Sequence, residues 1–133
     1  MAQSPAQPSA AVDAALTRHG GLSYLEIPAA DLLVSVTFYQ RVLGWAFHGV
    51  ETGTAKFSDG PGLLIGRLIP GRPVSREPGI MNYFYVSDIR AAVVNVTVSG
   101  GQVVKPPSPE GNLLVASVYD PAGNLIGLWQ AGA

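Results

Sequence analysis

Glu26 and Tyr24 are the residues of this 133-residue chain best suited to acid–base chemistry. They stand two positions apart in the apolar, β-tolerant segment 22–27, and side chains two apart on a strand share one face. A carboxylate buried on a central strand must be partnered or neutral, and burial raises its pKa toward values useful for proton transfer. We therefore predict that Glu26 is a general base or a ligand anchor, with the hydroxyl of Tyr24, Tyr83 or Tyr85 as its partner. The alternative is a structural carboxyl that neighbouring hydroxyls or backbone groups satisfy.

A second set of candidate residues is aromatic. Tyr83 and Tyr85 share a face of a predicted strand with Met81, and Trp129 shares a face of the last strand with Gly127. Such rings suit a flat or aromatic ligand, which they bind by stacking and by hydrogen bonds from the hydroxyls. The alternative interpretation is ordinary core filling.

His48 is one of only two histidines, and it lies on a predicted strand close to Glu51. We interpret it as a residue at the surface or at the rim of a pocket, with a role as pocket acid or base as the alternative. The other histidine, His19, belongs to the segment that precedes the first strand.

An internal repeat supplies the framework for these residues. Residues 57–68 resemble residues 118–129 at an offset of 61, which pairs Gly66 with Gly127. A second pairing, at an offset of 57, sets Asp31 against Asp88. A duplicated chain forms two like modules about a pseudo-twofold axis, so a ligand is expected between them.

Each half is predicted to contain one strand, one helix and three further strands. Asp31 and Asp88 are typical helix N-caps, and Gly44 is a typical C-cap. Proline and glycine interrupt the chain between the two halves. The predicted divisions are a tail or short helix at 1–20, a first module at 21–69, a linker at 70–79 and a second module at 80–131. The predicted strands are 22–27, 45–50, 54–57, 63–69, 82–86, 102–105, 113–119 and 124–130.

Composition excludes several classes of function. The net charge is −1 and the basic residues are scattered, so the sequence carries no basic stripe for nucleic acid. There is no cysteine, no apolar run long enough to span a membrane and no signal-peptide pattern. We therefore expect a cytoplasmic protein. Only 13% of the residues are charged, which favours a homodimer because a small monomer would expose much apolar surface.

Two longer stretches carry a family resemblance. The first consists of residues 24–31 together with Phe38-Tyr39 and residues 42–45. The second is the closing stretch 120–130, which contains an Asp-Pro-Ala-Gly-Asn turn. Together they resemble the vicinal-oxygen-chelate superfamily, which contains glyoxalases, extradiol dioxygenases, and bleomycin- and fosfomycin-resistance proteins. The resemblance covers residues 22–130. It implies an α+β fold of two tandem β-α-β-β-β modules that form a curved sheet around a cleft, with the helices outside.

The resemblance also implies where a metal would be bound. Metal-dependent members hold a divalent ion with His and Glu side chains from the first and last strands of each module. The corresponding positions here are Tyr24, Met81, Gly66 and Gly127, which are poor ligands or none. We therefore expect no metal and no other cofactor. The two glycines are interpreted as leaving room in the cleft, or as positions where another backbone approaches closely.

If the inherited ligand positions face the cavity, strand alternation assigns the other residues to faces. Aliphatic side chains then fall beneath the helices, and Arg67 is expected to point to the outer face, away from Gly66. The predicted cavity-facing residues are Tyr24, Glu26, Leu64, Gly66, Leu68, Met81, Tyr83, Tyr85, Gly127 and Trp129, with His48 added as a ligand-binding candidate at the rim.

The sequence thus predicts a glyoxalase-like small-molecule protein that needs no metal. One hypothesis is an enzyme of the lyase or isomerase type, in which Glu26 and Tyr24 are catalytic. A second is a binding protein that sequesters an aromatic or antibiotic-like compound, as bleomycin-resistance proteins do by resemblance. A third is a metal-dependent glyoxalase or dioxygenase with non-standard ligands.

Overall fold

The first half of the chain forms one four-stranded unit with a single α-helix. The structure is a computed structural model, which describes residues 14–132. A 3-10 turn at Ala14–Leu16 precedes the first strand, and a second one at Val50–Thr52 follows the second strand. The predicted tail residues 1–13 lie outside the described residues. The elements of this half are β1 (Tyr24–Pro28), α1 (Leu32–Leu43), β2 (Ala46–His48), β3 (Lys56–Ser58) and β4 (Ile65–Ile69).

The second half repeats this order after a segment without strand or helix. Its elements are β5 (Tyr83–Tyr85), α2 (Ile89–Val98), β6 (Gln102–Glu110), β7 (Leu113–Tyr119) and β8 (Leu125–Ala131). The order β-α-β-β-β therefore occurs twice, and the predicted α+β fold is confirmed. Neither of these two helices, which are the α-helices of residues 14–132, has the length and apolar character of a membrane span.

The strands form two four-stranded mixed sheets, with the orders β1-β4-β3-β2 and β5-β8-β7-β6. The first strand of each module runs parallel to the last strand of that module, and the other pairings are antiparallel. β1 and β5 are therefore edge strands, whereas the sequence analysis treated β1 as central. This position leaves the β1 side chains more open to water than expected.

The helices begin and end where the sequence predicts. Asp31 and Asp88 each accept a hydrogen bond from the backbone of the first turn, at 3.2 and 3.1 Å. Gly44 ends α1 in the left-handed region with φ of 73°, which a residue with a Cβ adopts only at a cost. α1 and α2 then pack against each other.

One hydrophobic core is shared by both modules. Trp45 of the first module stacks on Tyr39 and Phe57, at 4.9 and 4.3 Å between ring centroids, and meets the edge of Phe84 from the second module. The sheet faces turned toward this core carry the aliphatic residues that the sequence analysis assigned to it, among them Ile27, Val86, Ile126 and Leu128. Neither module therefore has a core of its own.

A buried polar network also joins the modules. The Asp120 carboxylate accepts hydrogen bonds from Tyr39 Oη at 2.7 Å, from Asn124 Nδ2 at 2.8 Å and from three backbone N–H groups of its own turn. Asn124 Nδ2 also donates to the Pro28 carbonyl at 2.7 Å, and Asn124 Oδ1 accepts from Ser75 N. Asp120 and Asn124 thus connect the turn between β7 and β8 to β1, α1 and the segment between the modules.

β6 is longer than predicted, because it continues through Pro106, Pro107 and Pro109. It lies at the edge of its sheet, where a residue without an N–H is tolerated, and its pairing with β7 has two register shifts. The predicted strand ends at residue 105 because prolines disfavour a central strand. β6 is an edge strand, so that reason does not apply to it.

Candidate functional site

The outer face of the first sheet carries a row of four polar side chains, three of which are charged. His48 on β2 pairs with Lys56 on β3, Lys56 pairs with Arg67 on β4, and Arg67 pairs with Glu26 on β1. Residues directly opposite each other on neighbouring strands point to the same face. These four residues therefore form one line across four strands, which we call the charged row.

The surroundings of Glu26 differ from those predicted. Its carboxylate accepts a hydrogen bond from Arg72 Nη1 at 2.9 Å and lies 3.7 Å from Arg67 Nε. The Glu26 side chain is 30% exposed. The hydrogen bond from Arg72 lowers the pKa of Glu26, and the charges of Arg72 and Arg67 act in the same direction. The expectation of a pKa raised by burial is therefore wrong, and Glu26 is an ionised, ion-paired carboxylate.

Tyr24 is one of the three hydroxyl partners predicted for Glu26, and its hydroxyl reaches the carboxylate. Its Oη donates to Glu26 Oε2 at 3.4 Å. Burial raises the pKa of Tyr24, and the nearby Glu26 carboxylate raises it further. Tyr24 therefore keeps its proton and is a hydrogen-bond donor on this face.

Gly66 lies on the opposite face from the one predicted. It pairs with Phe57 and Leu25, and a Cβ built on it would collide with the Leu25 carbonyl oxygen and the Phe57 ring. Phe57, Leu64 and Leu68 are buried in the shared core. The prediction that Leu64 and Leu68 face the cavity is therefore wrong, and Gly66 borders the cavity of the first sheet only with its backbone. The alternative stated for the glycine, close approach of another backbone, is the one observed.

Arg67 points outward and away from Gly66, as predicted, but its face is the one that carries Tyr24 and Glu26, which the sequence analysis had placed on the face of Gly66. Because neighbours on a strand alternate, burial of Gly66 turns Arg67 outward to Glu26, on the face of Tyr24. The repeat was the source of this error. β1 and β4 are aligned as Leu25 with Gly66, whereas β5 and β8 are aligned as Tyr83 with Gly127. The strand pairing of the first module is therefore shifted by one residue relative to that of the second, which places Gly66 and Gly127 on opposite faces.

The outer face of the second sheet is aromatic, as the sequence predicts. Tyr83 pairs with Gly127 and Tyr85 with Trp129, so all four face the same side. The Tyr83 ring lies over Gly127, where a Cβ would strike it. Tyr85 meets Trp129 edge to face, with ring centroids 4.9 Å apart. Tyr83 and Tyr85 nevertheless keep more than half of their surface in water, at 53% and 55%.

Three cavities lie against these two faces. One of about 350 Å³ is lined by Met81, Tyr83, Lys105 and Ser117 among others, and a neighbouring one of about 250 Å³ lies between Tyr83 and Trp129. The third, of about 330 Å³, lies on the first sheet and is lined by Tyr24, His48, Phe57, Ser58, Ile65, Gly66 and the Lys56 and Arg67 of the charged row. Cavities of this size admit a small organic molecule.

The predicted site residues therefore form two groups. Tyr24, Glu26 and His48 lie on the first sheet, with His48 exposed at its edge strand, as predicted for a rim residue. Tyr83, Tyr85, Gly127 and Trp129 belong to the second sheet, and Met81 lines the cavity beside it. Within residues 14–132 no hydrogen bond or ring contact joins the two groups. The predicted partnership of Glu26 with Tyr83 or Tyr85 is not formed.

Lys56, Arg67 and Arg72 are the residues on the first face that sequence reasoning missed. Their separation along the chain hides their proximity, which comes from the pairing of β3 with β4 and from the loop after β4. One signal was available, because Lys56 and His48 each lie on a short predicted strand on either side of a turn. Their cross-strand pairing follows from a hairpin between these strands.

The residues at the inherited metal positions do not fit a divalent ion. Tyr24 retains its proton, Met81 is a soft ligand, Gly66 lies in the core, and Gly127 has no side chain and is covered by Tyr83. Among the described residues, no group of three or more His, Cys, Asp or Glu side chains could hold a metal. The donors on these faces are instead cationic and phenolic.

The chain is similar to characterised families over most of its length. Residues 21–128 match the profile of the Glyoxalase/Bleomycin resistance protein/Dioxygenase superfamily. A putative glyoxylase of Mycobacterium tuberculosis, CFP32, is 30% identical over 122 residues, which are 86% of this chain and 47% of that protein. The chain thus spans about half the length of the first curated relatives that it matches.

Solved structures share the fold at low identity. A glyoxalase family protein from Bacillus cereus has a TM-score of 0.68 and 18% identity, with 85% of this chain and 95% of that chain covered. The fosfomycin resistance protein FosX of Mesorhizobium loti has a TM-score of 0.65 and 16% identity, with 84% and 92% covered. At such identities the likeness extends to the fold alone.

Proposed function

Because the chain belongs to the Glyoxalase/Bleomycin resistance protein/Dioxygenase superfamily, we propose that it binds a small aromatic molecule on the outer face of its second sheet, without a metal. The observation that carries this proposal is the exposure of Tyr83 beside cavities of about 350 and 250 Å³, with Tyr85 exposed on the same face of the sheet. Exposed tyrosines grouped on one face, with space beside them, are a feature of ligand-binding surfaces.

The arrangement of the rings favours a flat ligand. Trp129 holds Tyr85 edge to face, which fixes the direction of both rings, and Gly127 leaves Tyr83 the room to lie close to the sheet. Tyr83 borders both cavities, so a ligand in either one contacts it. Each ring that stacks on the ligand adds about 0.5–1.5 kcal/mol beyond the area that it buries.

Ligand sequestration is the form of this function that the geometry supports best. Glu26, the predicted base, is ion-paired with Arg72 and has a lowered pKa, which makes it a weak proton acceptor. It also has no hydrogen bond or ring contact with the aromatic group in the described part of the chain. Binding by the aromatic face requires no chemistry from Glu26.

Catalysis of the lyase or isomerase type is the second candidate, and one observation favours it. Tyr24 Oη lies 3.4 Å from Glu26 Oε2, so a protonated phenol and an ionised carboxylate stand side by side. This pair could remove a proton from a substrate and return it. The Glu26→Gln variant separates the candidates, because an enzyme would lose turnover with its affinity retained, whereas a sequestering protein would show at most a change in affinity.

Calorimetric titration with 2-naphthamide, a neutral flat compound, tests the proposed binding. We expect saturable binding that Tyr83→Ala weakens by about tenfold, which corresponds to about 1.4 kcal/mol. Tyr24→Ala is the matched control, because it removes an equally exposed tyrosine from the first sheet and should leave the affinity unchanged. Equal affinity in the wild type and Tyr83→Ala, or the absence of any binding, would contradict the proposal.

Native mass spectrometry of the purified protein provides a second test. A sequestering protein that binds its ligand tightly retains it through purification, so a peak above the mass of the chain is expected. The released compound should contain an aromatic ring. A retained compound without a ring would count against the aromatic face as the binding surface.

A further inference from the structure

The charged row has more positive than negative side chains, and the ion pairs of residues 14–132 do not balance them. Lys56 and Arg67 stand directly opposite each other on β3 and β4, and such like-charged cross-strand pairs are destabilising. Within residues 14–132 Lys56 has no ion-pair partner. The carboxylate at the end of the row, Glu26, is held by Arg72 at 2.9 Å and lies farther from Arg67, at 3.7 Å.

Two hydroxyl groups and one aliphatic side chain complete this cavity. Tyr24 and Ser58 line it beside Lys56 and Arg67, and each carries a hydroxyl. Ile65 faces the same side and also lines it, so the cations border an apolar side chain. Positive charges in a concavity with apolar walls attract an anion more strongly than charges on an open surface.

We propose that the cavity on the first sheet binds the carboxylate or phosphate group of a small organic ligand through Lys56 and Arg67. Arg67 has the planar fork of donors that binds such groups with two parallel hydrogen bonds, and Lys56 supplies a second positive charge. The site shares no lining residue with the two aromatic cavities, so the inference is independent of the aromatic ligand proposed above.

Glu26 has a defined part in this site. Its carboxylate is the one negative charge in the row and competes with the ligand for Arg67. Removal of that charge should therefore strengthen anion binding, because Arg67 and Arg72 would then lack an ion-pair partner among the described residues. A gain of affinity on removal of a carboxylate distinguishes this site from one in which Glu26 is itself the ligand anchor.

The test is a set of NMR titrations of the wild-type protein at low ionic strength with phenyl phosphate, benzoate and neutral benzamide. We expect both anions to shift the amide signals of Lys56 and Arg67 saturably, and benzamide to leave these two signals unchanged. Stronger binding of phenyl phosphate would assign the site to phosphate esters, and stronger binding of benzoate would assign it to carboxylates. Added salt should weaken binding of both anions.

Variants test whether the residues of the charged row cause the NMR shifts. Lys56→Gln and Arg67→Gln should each weaken anion binding by about tenfold, and Glu26→Gln should strengthen it. Arg90→Gln is the matched control, because it removes an exposed cation from α2 and should change nothing. If Arg67→Gln does not fold, the exposed Lys56→Gln carries the test.

Two results would overturn the inference. One is the absence of saturable shifts at Lys56 and Arg67 with either anion. The other is unchanged anion affinity in Lys56→Gln. Neither result affects the proposal for the aromatic face, since that is tested with a neutral compound and with Tyr83→Ala.

Discussion

The hydroxyl of Tyr39 is predicted to contribute measurably to stability, because it joins α1 to a buried carboxylate in the last turn. Tyr39→Phe removes this hydroxyl and leaves the ring, which continues to stack on Trp45 at 4.9 Å and to meet the edge of Phe38 at 5.0 Å. The change therefore isolates a single hydrogen bond, from Tyr39 Oη to Asp120 Oδ2 at 2.7 Å.

The size of the effect follows from the surroundings of Asp120. A hydrogen bond to a charged group contributes about 1.5–3 kcal/mol, and this pair is fully removed from water. Asp120 keeps its other donors, from Asn124 Nδ2 and three backbone N–H groups, so its charge is not left unpaired. We therefore expect Tyr39→Phe to lower the free energy of unfolding by about 2 kcal/mol.

Urea denaturation followed by far-ultraviolet circular dichroism measures this change. For a protein of this size the slope of stability against urea is about 1–3 kcal/mol per molar, so the midpoint should fall by about 1 M. Tyr119→Phe is the control, because the Tyr119 hydroxyl has no hydrogen bond in residues 14–132 and its ring, with Arg76 at 4.3 Å, is retained. If the two variants agreed within about 0.5 kcal/mol, the buried hydrogen bond would not be the stabilising contact.

Three further predictions concern the two sheet faces. Arg72→Gln should raise the pKa of Glu26 toward its ordinary value, which an NMR titration of that carboxylate reports; an unchanged pKa would contradict the assigned cause. Because the pKa of Glu26 is lowered in the folded protein, ionised Glu26 stabilises the fold at pH values above its ordinary pKa of 4.5. This contribution is lost as the pH falls through the folded-state pKa. The difference in stability between the wild type and Arg72→Gln should therefore disappear in acid. Gly66→Ala should destabilise the protein by about 1–3 kcal/mol or more, because its Cβ would collide with backbone and a buried ring. Gly127→Ala should only displace the exposed Tyr83 ring, so it should cost less stability and weaken binding of 2-naphthamide. Equal losses of stability in thermal unfolding would refute the assignment of these glycines to different faces.

Much of the fold could be predicted from local signals. Asp31, Asp88 and Gly44 mark helix ends through the chemistry of their own side chains or backbone, so no tertiary information was needed. The strands of the second module were also assigned to their correct faces, because the alternation of aromatic with aliphatic residues is clear there. Local pattern and tertiary burial agree at these positions.

The parts that could not be predicted depend on pairing between distant strands. Nothing local at Gly66 distinguishes a core position from a cavity position, and the repeat assigned it the face of Gly127. The one-residue difference in register between the modules determines which face Gly66 occupies, and it also determines the direction of Arg67. The low pKa of Glu26 was hidden for the same reason, since Arg72 reaches it from 46 positions away in sequence.

The two tryptophans of this chain stand in unlike places, and this gives the molecule a separate optical reporter for each of two processes. Trp45 is buried between Tyr39 and Phe57, so its emission responds to whether the shared core is intact. Trp129 borders the aromatic cavity, so its emission responds to an occupant there. With Trp45→Phe, a fluorescence change in the folded protein would report a ligand, and with Trp129→Phe it would report unfolding of the core, with no label attached to either protein.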